Sequence, residues 1–175
     1  MAPEPSRDFE RLLAQAGSAA AERLTAAGVA PAGLGSYIPP RRRLLGTRPE
    51  RIQRIGSAWA LGALLVTDEG TLLAAGQTLR AHTPKPHICY TSESAQRRDL
   101  LRLAAVRGGF REGETVHWDA RELTETELSP SSVPVCVRDG MLAVRWALTA
   151  PATSARPITE YLTSRIELLL NDPAC

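Results

Sequence analysis

The spacing of apolar residues predicts three helices, over residues 6–28, 92–107 and 157–170. In each segment, apolar side chains recur three or four positions apart, which places them on one face of a helix. These side chains are Phe9, Leu12, Leu13, Ala16, Ala20 and Leu24 in the first segment, Leu100, Leu103 and Ala104 in the second, and Ile158, Leu162, Ile166 and Leu169 in the third. Glycine or proline ends or follows each segment. We therefore expect three main helices, each with one buried face.

Continuous apolar runs and turn residues predict two hairpins. Residues 51–66 form the first strand of one hairpin, and because most of its length is uncharged on both faces, we expect it to be covered on both sides. The turn Asp68-Glu69-Gly70 leads to a second strand at residues 71–81. The other hairpin occupies residues 133–148, with Asp139-Gly140 at its turn.

A further strand is predicted at residues 115–120, where polar and apolar residues alternate. Val116 and Trp118 then point inward. His117 and Asp119 point outward, where they could pair with each other.

Hairpins, rather than crossovers between parallel strands, dominate this order of elements. The predicted fold class is α+β, with an antiparallel sheet of about five strands built from two hairpins and packed with three main helices. We expect an N-terminal helix at residues 1–30 that packs on the core, a Pro/Arg-rich connector at 31–50, and an α+β core at 51–175, all in a single domain. The connector is expected to be an extended loop because residues 31–50 contain four prolines.

The composition is that of an ordinary globular protein, with 43% apolar and 23% charged residues. Aromatic residues make up only 5%, so the core must be mainly aliphatic. No apolar run approaches the ~20 residues that a membrane span needs, and the N-terminus lacks the pattern of a signal peptide. We therefore expect a cytoplasmic protein with no membrane contact. The three cysteines do not have the spacing of a disulfide framework.

The charged residues are clustered along the chain. Residues 41–54 contain six arginines against Glu50, whereas residues 111–130 contain six acidic residues against two arginines. The candidate binding residues are Arg41, Arg42, Arg43, Arg48, Arg51 and Arg54. We expect them to pair with the acidic stretch, within the chain or across a homodimer. A nucleic-acid partner is disfavoured, because the basic segment has no interleaved aromatic residues and the acidic stretch would weaken its field.

Several reactive side chains between residues 82 and 119 are weak candidates for catalysis. They are His82, His87, Cys89, Ser92, His117 and Asp119. Nucleophilic catalysis needs a base within hydrogen-bond reach of the serine or thiol, and nothing in the spacing brings His117 to Ser92. His82, His87 and Cys89 could supply three zinc ligands, but no fourth ligand follows nearby. We therefore expect no metal and no cofactor.

One short segment resembles a known enzyme class. The run Ser36-Tyr37-Ile38-Pro39 is similar to a segment near the start of the serine-dependent bacterial glutaminases. Those enzymes resemble serine β-lactamases in fold and use a Ser-x-x-Lys nucleophile motif. In this chain Lys85 is the only lysine, and His82 stands three positions before it. No catalytic residue is therefore carried over from the resemblance.

A wider resemblance covers residues 36–170. The runs YIPPRRRLLG, RIGSAWALGALLV, RGGFREGETVHWDA and VRDGMLAVRW, together with the closing helix, are similar to those of a small protein family of GC-rich bacteria. Some members of that family carry an automatic glutaminase label. The resemblance implies no established activity.

The leading hypothesis is a non-catalytic cytoplasmic protein-interaction domain whose partner is a second copy of itself, as a homodimer, or another protein. One alternative is a small amidohydrolase, as the glutaminase label suggests, that uses residues 82–94 with His117. Another is a basic-patch nucleic-acid-binding module that uses residues 41–54. If the chain is an enzyme, we expect a hollow in which a histidine lies within hydrogen-bond distance of Ser92 or Cys89.

Overall fold

The structure is a computed structural model that describes residues 5–43, 46–85, 92–123, 133–138, 140–145, 147, 149 and 151–171. Three α-helices occupy Pro5–Ala26 (α1), Glu93–Arg107 (α2) and Ile158–Leu170 (α3). The strands are Ala32–Ile38 (β1), Arg41–Arg43 (β2), Gly46–Arg48 (β3), Arg51–Leu61 (β4), Leu64–Thr67 (β5), Leu72–Ala74 (β6), Gln77–Arg80 (β7), Thr115–Trp118 (β8), Arg121–Glu122 (β9), Val135–Arg138 (β10), Met141–Val144 (β11) and Arg156–Pro157 (β12).

Seven of these strands form one mixed sheet, in the order β7-β8-β1-β4-β5-β6-β9. Strand β8 runs parallel to β1, with Gly33 opposite Val116, whereas β7–β8, β4–β5, β5–β6 and β6–β9 are antiparallel. Strands β10, β11 and β12 form a three-stranded sheet, and β2 and β3 form a two-stranded one. The α+β class with three helices is confirmed, but the expected five-stranded antiparallel sheet corresponds only loosely to this mixed sheet.

The three helices lie close to their predicted positions. Helix α2 begins after Ser92, whose hydroxyl accepts a hydrogen bond from the amide of Ala95 at 3.2 Å. It ends at Gly108, whose amide donates to the carbonyl of Ala105 at 3.0 Å. Two leucines predicted to be buried are not: Leu12 in α1 is 44% exposed, and Leu100 in α2 is 40% exposed.

The strands differ from the sequence prediction in three places. The segment 31–50 is not an extended loop, because β1, β2 and β3 lie in it and its prolines flank these strands. The predicted strand 51–66 is divided into β4 and β5 by a turn at Gly62, where φ is +70°. The predicted strand 71–81 is interrupted between Ala74 and Gln77, where Gly76 lies so close to the carbonyl oxygen of Asp119 that a Cβ atom would be 2.2 Å from it.

The described chain divides into two compact units. Unit 1 consists of Met1–Pro31, Ala58–Ala75 and Arg121–Cys175. Helix α1 packs against α3 and against strands β5 and β6. Its contact with the turn at Gly70 requires Gly17, since a Cβ atom on Gly17 would lie 2.0 Å from the Gly70 carbonyl oxygen.

The core of unit 1 is mainly aliphatic. Its buried members are Phe9, Leu13, Ala20, Ala21, Leu24, Trp59, Leu61, Leu64, Val66, Leu72, Val135, Leu142, Val144, Ile158, Tyr161, Leu162 and Ile166. The two polar groups of its aromatic residues are satisfied by the backbone. The Trp59 indole donates to the carbonyl of Val29 at 2.8 Å, and the Tyr161 hydroxyl accepts from the amide of Ala63 at 2.8 Å.

Unit 2 consists of Ala32–Ser57 and Gly76–Ala120. Its buried core is smaller and comprises Ile52, Ala81, Ala104, Ala105, Phe110, Val116 and Trp118. The end of α2 lies directly on strand β4: a Cβ atom on Gly108 would lie 1.5 Å from the Ile52 carbonyl oxygen. The Arg54 amide donates to the Gly108 carbonyl at 3.1 Å, which fixes this contact.

Candidate functional site

His117 does not point outward as the alternation predicted. It is only 6% exposed, between the buried Val116 and Trp118. Its Nδ1 atom lies 2.9 Å from the hydroxyl of Thr78 on the neighbouring strand. The prediction was wrong because both faces of β8 are buried at these positions, so that Val116, His117 and Trp118 are all buried in succession and alternation does not apply. Burial lowers the pKa of His117 and favours the neutral imidazole.

The other described candidates for catalysis have separate partners. His82 Nδ1 is hydrogen-bonded to the Oε1 atom of Glu112, and the Thr83 amide donates to both carboxylate oxygens of Glu112, at 3.2 and 3.1 Å. Ser92 caps helix α2, and its hydroxyl lies 3.1 Å from that of Ser94. In the described part of the chain, no hydrogen bond joins two of the candidates.

Asp119 is exposed and has a φ of +59° at the end of β8. The predictions for His87 and Cys89 lie outside the described residues. Cys136, in the hairpin of unit 1, is buried, and burial raises the pKa of its thiol. A protonated, buried thiol of this kind acts as a small packing group.

A buried polar cluster in unit 2 was missed by the sequence analysis. Glu50, 9% exposed, accepts two hydrogen bonds from one guanidinium nitrogen of Arg97, each 2.7 Å long. The hydroxyl of Tyr37 donates to the same carboxylate at 2.5 Å. Burial opposes ionisation of Glu50, but these hydrogen bonds outweigh it and lower its pKa. The Tyr37 ring also contacts Trp118, with 5.9 Å between centroids.

The clustering of charges predicts ion pairs between segments 41–54 and 111–130. Among the described residues there is one such pair, and Arg54 makes it. Its guanidinium group is hydrogen-bonded to Glu114 and lies over the Phe110 ring, 4.3 Å from the centroid. Burial opposes ionisation of Glu114, but the Arg111 amide and Arg54 outweigh it and lower its pKa. Arg51, on β4, has a buried Nε atom without a hydrogen-bond partner.

Strands β2 and β3 form an antiparallel pair that we call the arginine ribbon. Arg41 lies opposite Arg48, and Arg42 lies opposite Thr47. Arg41, Arg42 and Arg48 are exposed, and no described acidic side chain forms an ion pair with them. The prediction for the side chain of Arg43 lies outside what the structure describes.

The two units carry opposite net charges. Unit 2 contains 13 basic and 6 acidic residues, which gives +7, whereas unit 1 contains 8 basic and 13 acidic residues, which gives −5. The net charge of +2 for the whole chain is the sum of these two values. The acidic stretch 111–130 is itself divided, because residues from Arg121 onward belong to unit 1.

Unit 1 has an open apolar hollow of about 370 Å³ beside helix α1. It is lined by Leu12, Gln15, Ala16 and Ala19 of α1, by Gly140, Met141 and Leu142 of the β10–β11 hairpin, and by Pro157, Ile158 and Thr159 near the start of α3. A second hollow of about 160 Å³ shares Ala16, Ala19 and Thr159 with it and extends to Arg23. We call the two together the α1 groove. From Leu12 to Arg23 it follows the helix for about 16 Å, at 1.5 Å per residue.

Within the described ranges, no group of three or more His, Cys, Asp or Glu side chains is placed to hold a metal ion. None of the described helices is long and apolar enough to cross a membrane. Comparison with protein-family models, with curated proteins and with solved structures found no match to this chain.

Proposed function

We propose that this chain is a non-catalytic protein-interaction domain that binds an apolar helix in the α1 groove, and that the partner helix is α1 of a second copy. The single observation that supports this is the groove itself, which leaves Leu12 44% exposed and Met141 58% exposed. Apolar side chains grouped around an open hollow mark interaction surfaces, and a groove lined by one helix face fits a partner helix.

The face of α1 along the groove is self-complementary. Asp8, Leu12, Ala16, Ala19 and Arg23 follow one another three or four residues apart on that face. If two copies pack antiparallel around a two-fold axis between Gln15 and Ala16, each Leu12 lies against the partner copy's Ala19. A large side chain then meets a small one, and the same contact recurs on the other side of the axis, as in any isologous interface.

The charges at the two ends of this face support the same arrangement. The same two-fold axis that places Leu12 of one copy against Ala19 of the other also places Asp8 of each copy opposite Arg23 of the other. In the single chain, Asp8 accepts from Arg11 at 2.9 Å, and Arg23 lies 3.6 Å from Glu167. Because these pairs are exposed, Asp8 and Arg23 can also form an ion pair across the dimer axis. Such a contact contributes more to the register of the two helices than to their affinity.

Light scattering after gel filtration, over a range of protein concentrations, tests this proposal. We expect a concentration-dependent dimer. The substitution Leu12→Glu should weaken it by at least about 30-fold, because a central apolar contact typically contributes about 2 kcal/mol or more. The matched control is Leu168→Glu, since Leu168 is also an exposed helical leucine of unit 1 but does not line the groove.

A chain that stays monomeric at all concentrations would overturn the proposal, as would a dimer that Leu12→Glu leaves unchanged. Circular dichroism of both variants would show that the helices are retained. A glutamine hydrolysis assay tests the non-catalytic part separately, and robust turnover by the purified chain would contradict it.

A further inference from the structure

The arginine ribbon carries positive charge that the described part of unit 2 does not neutralise. Arg41 lies directly opposite Arg48, and like charges in this position destabilise a strand pair. Four of the six acidic residues of unit 2 are bonded elsewhere. They are Glu50, bound by Arg97; Asp99, bound by Arg102; Glu112, bound by His82; and Glu114, bound by Arg54. A ribbon built in this way is suited to an external anion.

We propose that the arginine ribbon binds the phosphate backbone of double-stranded DNA without regard to base sequence. Guanidinium groups bind phosphate through two parallel hydrogen bonds, which a lysine ammonium group cannot make. The basic residues clustered in this segment are all arginines. Their unit has a net charge of +7, which favours a polyanion close to its surface.

The shape of the ribbon favours a duplex. The DNA major groove is about 12 Å wide and admits a two-stranded antiparallel ribbon, whereas the major groove of an RNA duplex is too narrow for side chains to enter. Arg41 and Arg48 share one face of the ribbon, and Arg42 lies on the other. Arginines on both faces can contact the phosphates of both DNA strands at the same time.

Single-stranded nucleic acid is a poorer fit, because it is usually bound through aromatic side chains on which the bases stack. The described positions of the ribbon hold arginine, threonine and glycine. Tyr37, on the preceding strand, is occupied within unit 2 by Glu50 and Trp118. The sequence disfavours nucleic acid because the basic segment has no interleaved aromatic residues and because of the acidic stretch 111–130, but Glu112 and Glu114 of that stretch have partners of their own.

Fluorescence anisotropy with a labelled DNA duplex of about 20 base pairs and mixed sequence tests the proposal. If three phosphates are neutralised, affinity should fall about 40-fold between about 50 and 200 mM salt. In the double variant Arg41→Ala/Arg48→Ala this fall should shrink to about 4-fold, since each lost phosphate contact reduces the salt slope by about 0.9. Scrambling the duplex sequence should leave the affinity unchanged.

The matched control is Arg80→Ala/Arg98→Ala, which removes the same charge from exposed positions of unit 2 outside the ribbon. We expect it to keep the steep salt dependence. The ribbon variant should unfold at no lower temperature than the parent chain, because its substitutions remove a pair of facing like charges. Binding should also persist in Leu12→Glu, which separates this proposal from dimerisation through the α1 groove.

Three results would overturn the inference. The first is the absence of duplex binding at about 50 mM salt. The second is equal loss of binding in the ribbon and control variants, which would assign the effect to the general charge of unit 2. The third is tighter, ribbon-dependent binding of polyglutamate than of the duplex, which would make the partner an acidic protein segment.

Discussion

Unit 1 and unit 2 are stabilised by different kinds of contact. The core of unit 1 joins both terminal helices to strands β4, β5 and β6 through aliphatic side chains, and its aromatic residues use backbone partners. Unit 2 has fewer buried apolar residues and adds a buried carboxylate and an aromatic pair. The difference indicates that the stability of unit 2 depends more on buried hydrogen bonds, and that of unit 1 more on buried apolar surface.

The same division separates the two proposed interaction surfaces. The acidic unit 1 exposes an apolar groove, and the basic unit 2 exposes the arginine ribbon. A net charge averaged over the chain conceals this, because the charges of the two units largely cancel. Surfaces of such different chemistry suit partners of different classes.

The largest effect is expected from Gly108→Ala, which breaks the contact between α2 and β4. The added Cβ atom would lie 1.5 Å from the Ile52 carbonyl oxygen, and backbone cannot move aside as a side chain can. We expect a loss of about 3 kcal/mol in the free energy of unfolding. Amide hydrogen exchange should report the loss in α2 and β8, while α1 and α3 keep their protection.

The control for this variant is Gly109→Ala. No atom lies within 4 Å of a Cβ atom there, and only its φ of +99° opposes a side chain, so the cost should be about 1–2 kcal/mol. Equal loss of protection in α1 and α2 after Gly108→Ala would mean that the two units unfold together. It would contradict the view that they are stabilised separately.

Glu50→Gln is expected to have the next largest effect. It removes a buried carboxylate that accepts hydrogen bonds from Arg97 and Tyr37, and hydrogen bonds to charged groups contribute more than neutral ones. Urea unfolding at about pH 7 should show a loss of about 1.5–2 kcal/mol. The exposed Glu122→Gln of unit 1 should change stability by less than about 0.5 kcal/mol.

Acid should abolish the difference between Glu50→Gln and the parent chain. The pKa of Glu50 is lower in the folded chain than the ordinary value of 4.5. The stability that it contributes is therefore present above that value and is lost as the pH falls through the lower folded pKa. A difference that stays constant on acidification would show that the carboxylate charge is not what stabilises unit 2.

The smallest effect is expected from titration of His117. Its pKa is lowered by burial, so the unfolded chain binds a proton at a higher pH than the folded one. Stability should therefore fall as the pH drops from about 6.5 towards the folded pKa. In His117→Gln this pH dependence should disappear, and proton NMR of the imidazole should give a midpoint below 6.5 in the parent chain. A midpoint above that value would contradict the buried environment.

The helices were predictable because their signals are local. Apolar periodicity, the Ser92 cap and the glycines after α2 all act within a few residues. The pairing of β1 with β8 joins distant segments through parallel hydrogen bonds, and no turn residue marks such a pair. The prolines at 39 and 40 do lie outside the strands, but they separate β1 from β2 and do not extend into one long loop.

The candidate surfaces were predictable only in part. The arginines of the ribbon were identified from their clustering, but their pairing across two short strands was not. The cluster of Tyr37, Glu50 and Arg97 brings together a residue of strand β1, a residue just before β4 and a residue of helix α2, which no sequence spacing reveals. The net charge of each unit could not be counted either, because tertiary contacts decide which segments belong to which unit.

The interleaving of the two units affects how they form during synthesis. Every segment of unit 2 has been translated once Ala120 has left the ribosome, whereas unit 1 still lacks its last segment. Helix α1, synthesised before all the strands, must wait for α3 before Leu24 and Ile166 can share a core. All segments of unit 2 are therefore present first, whereas α1 can pack on β5 and β6 early but finds its contacts with α3 only after that last helix has been made.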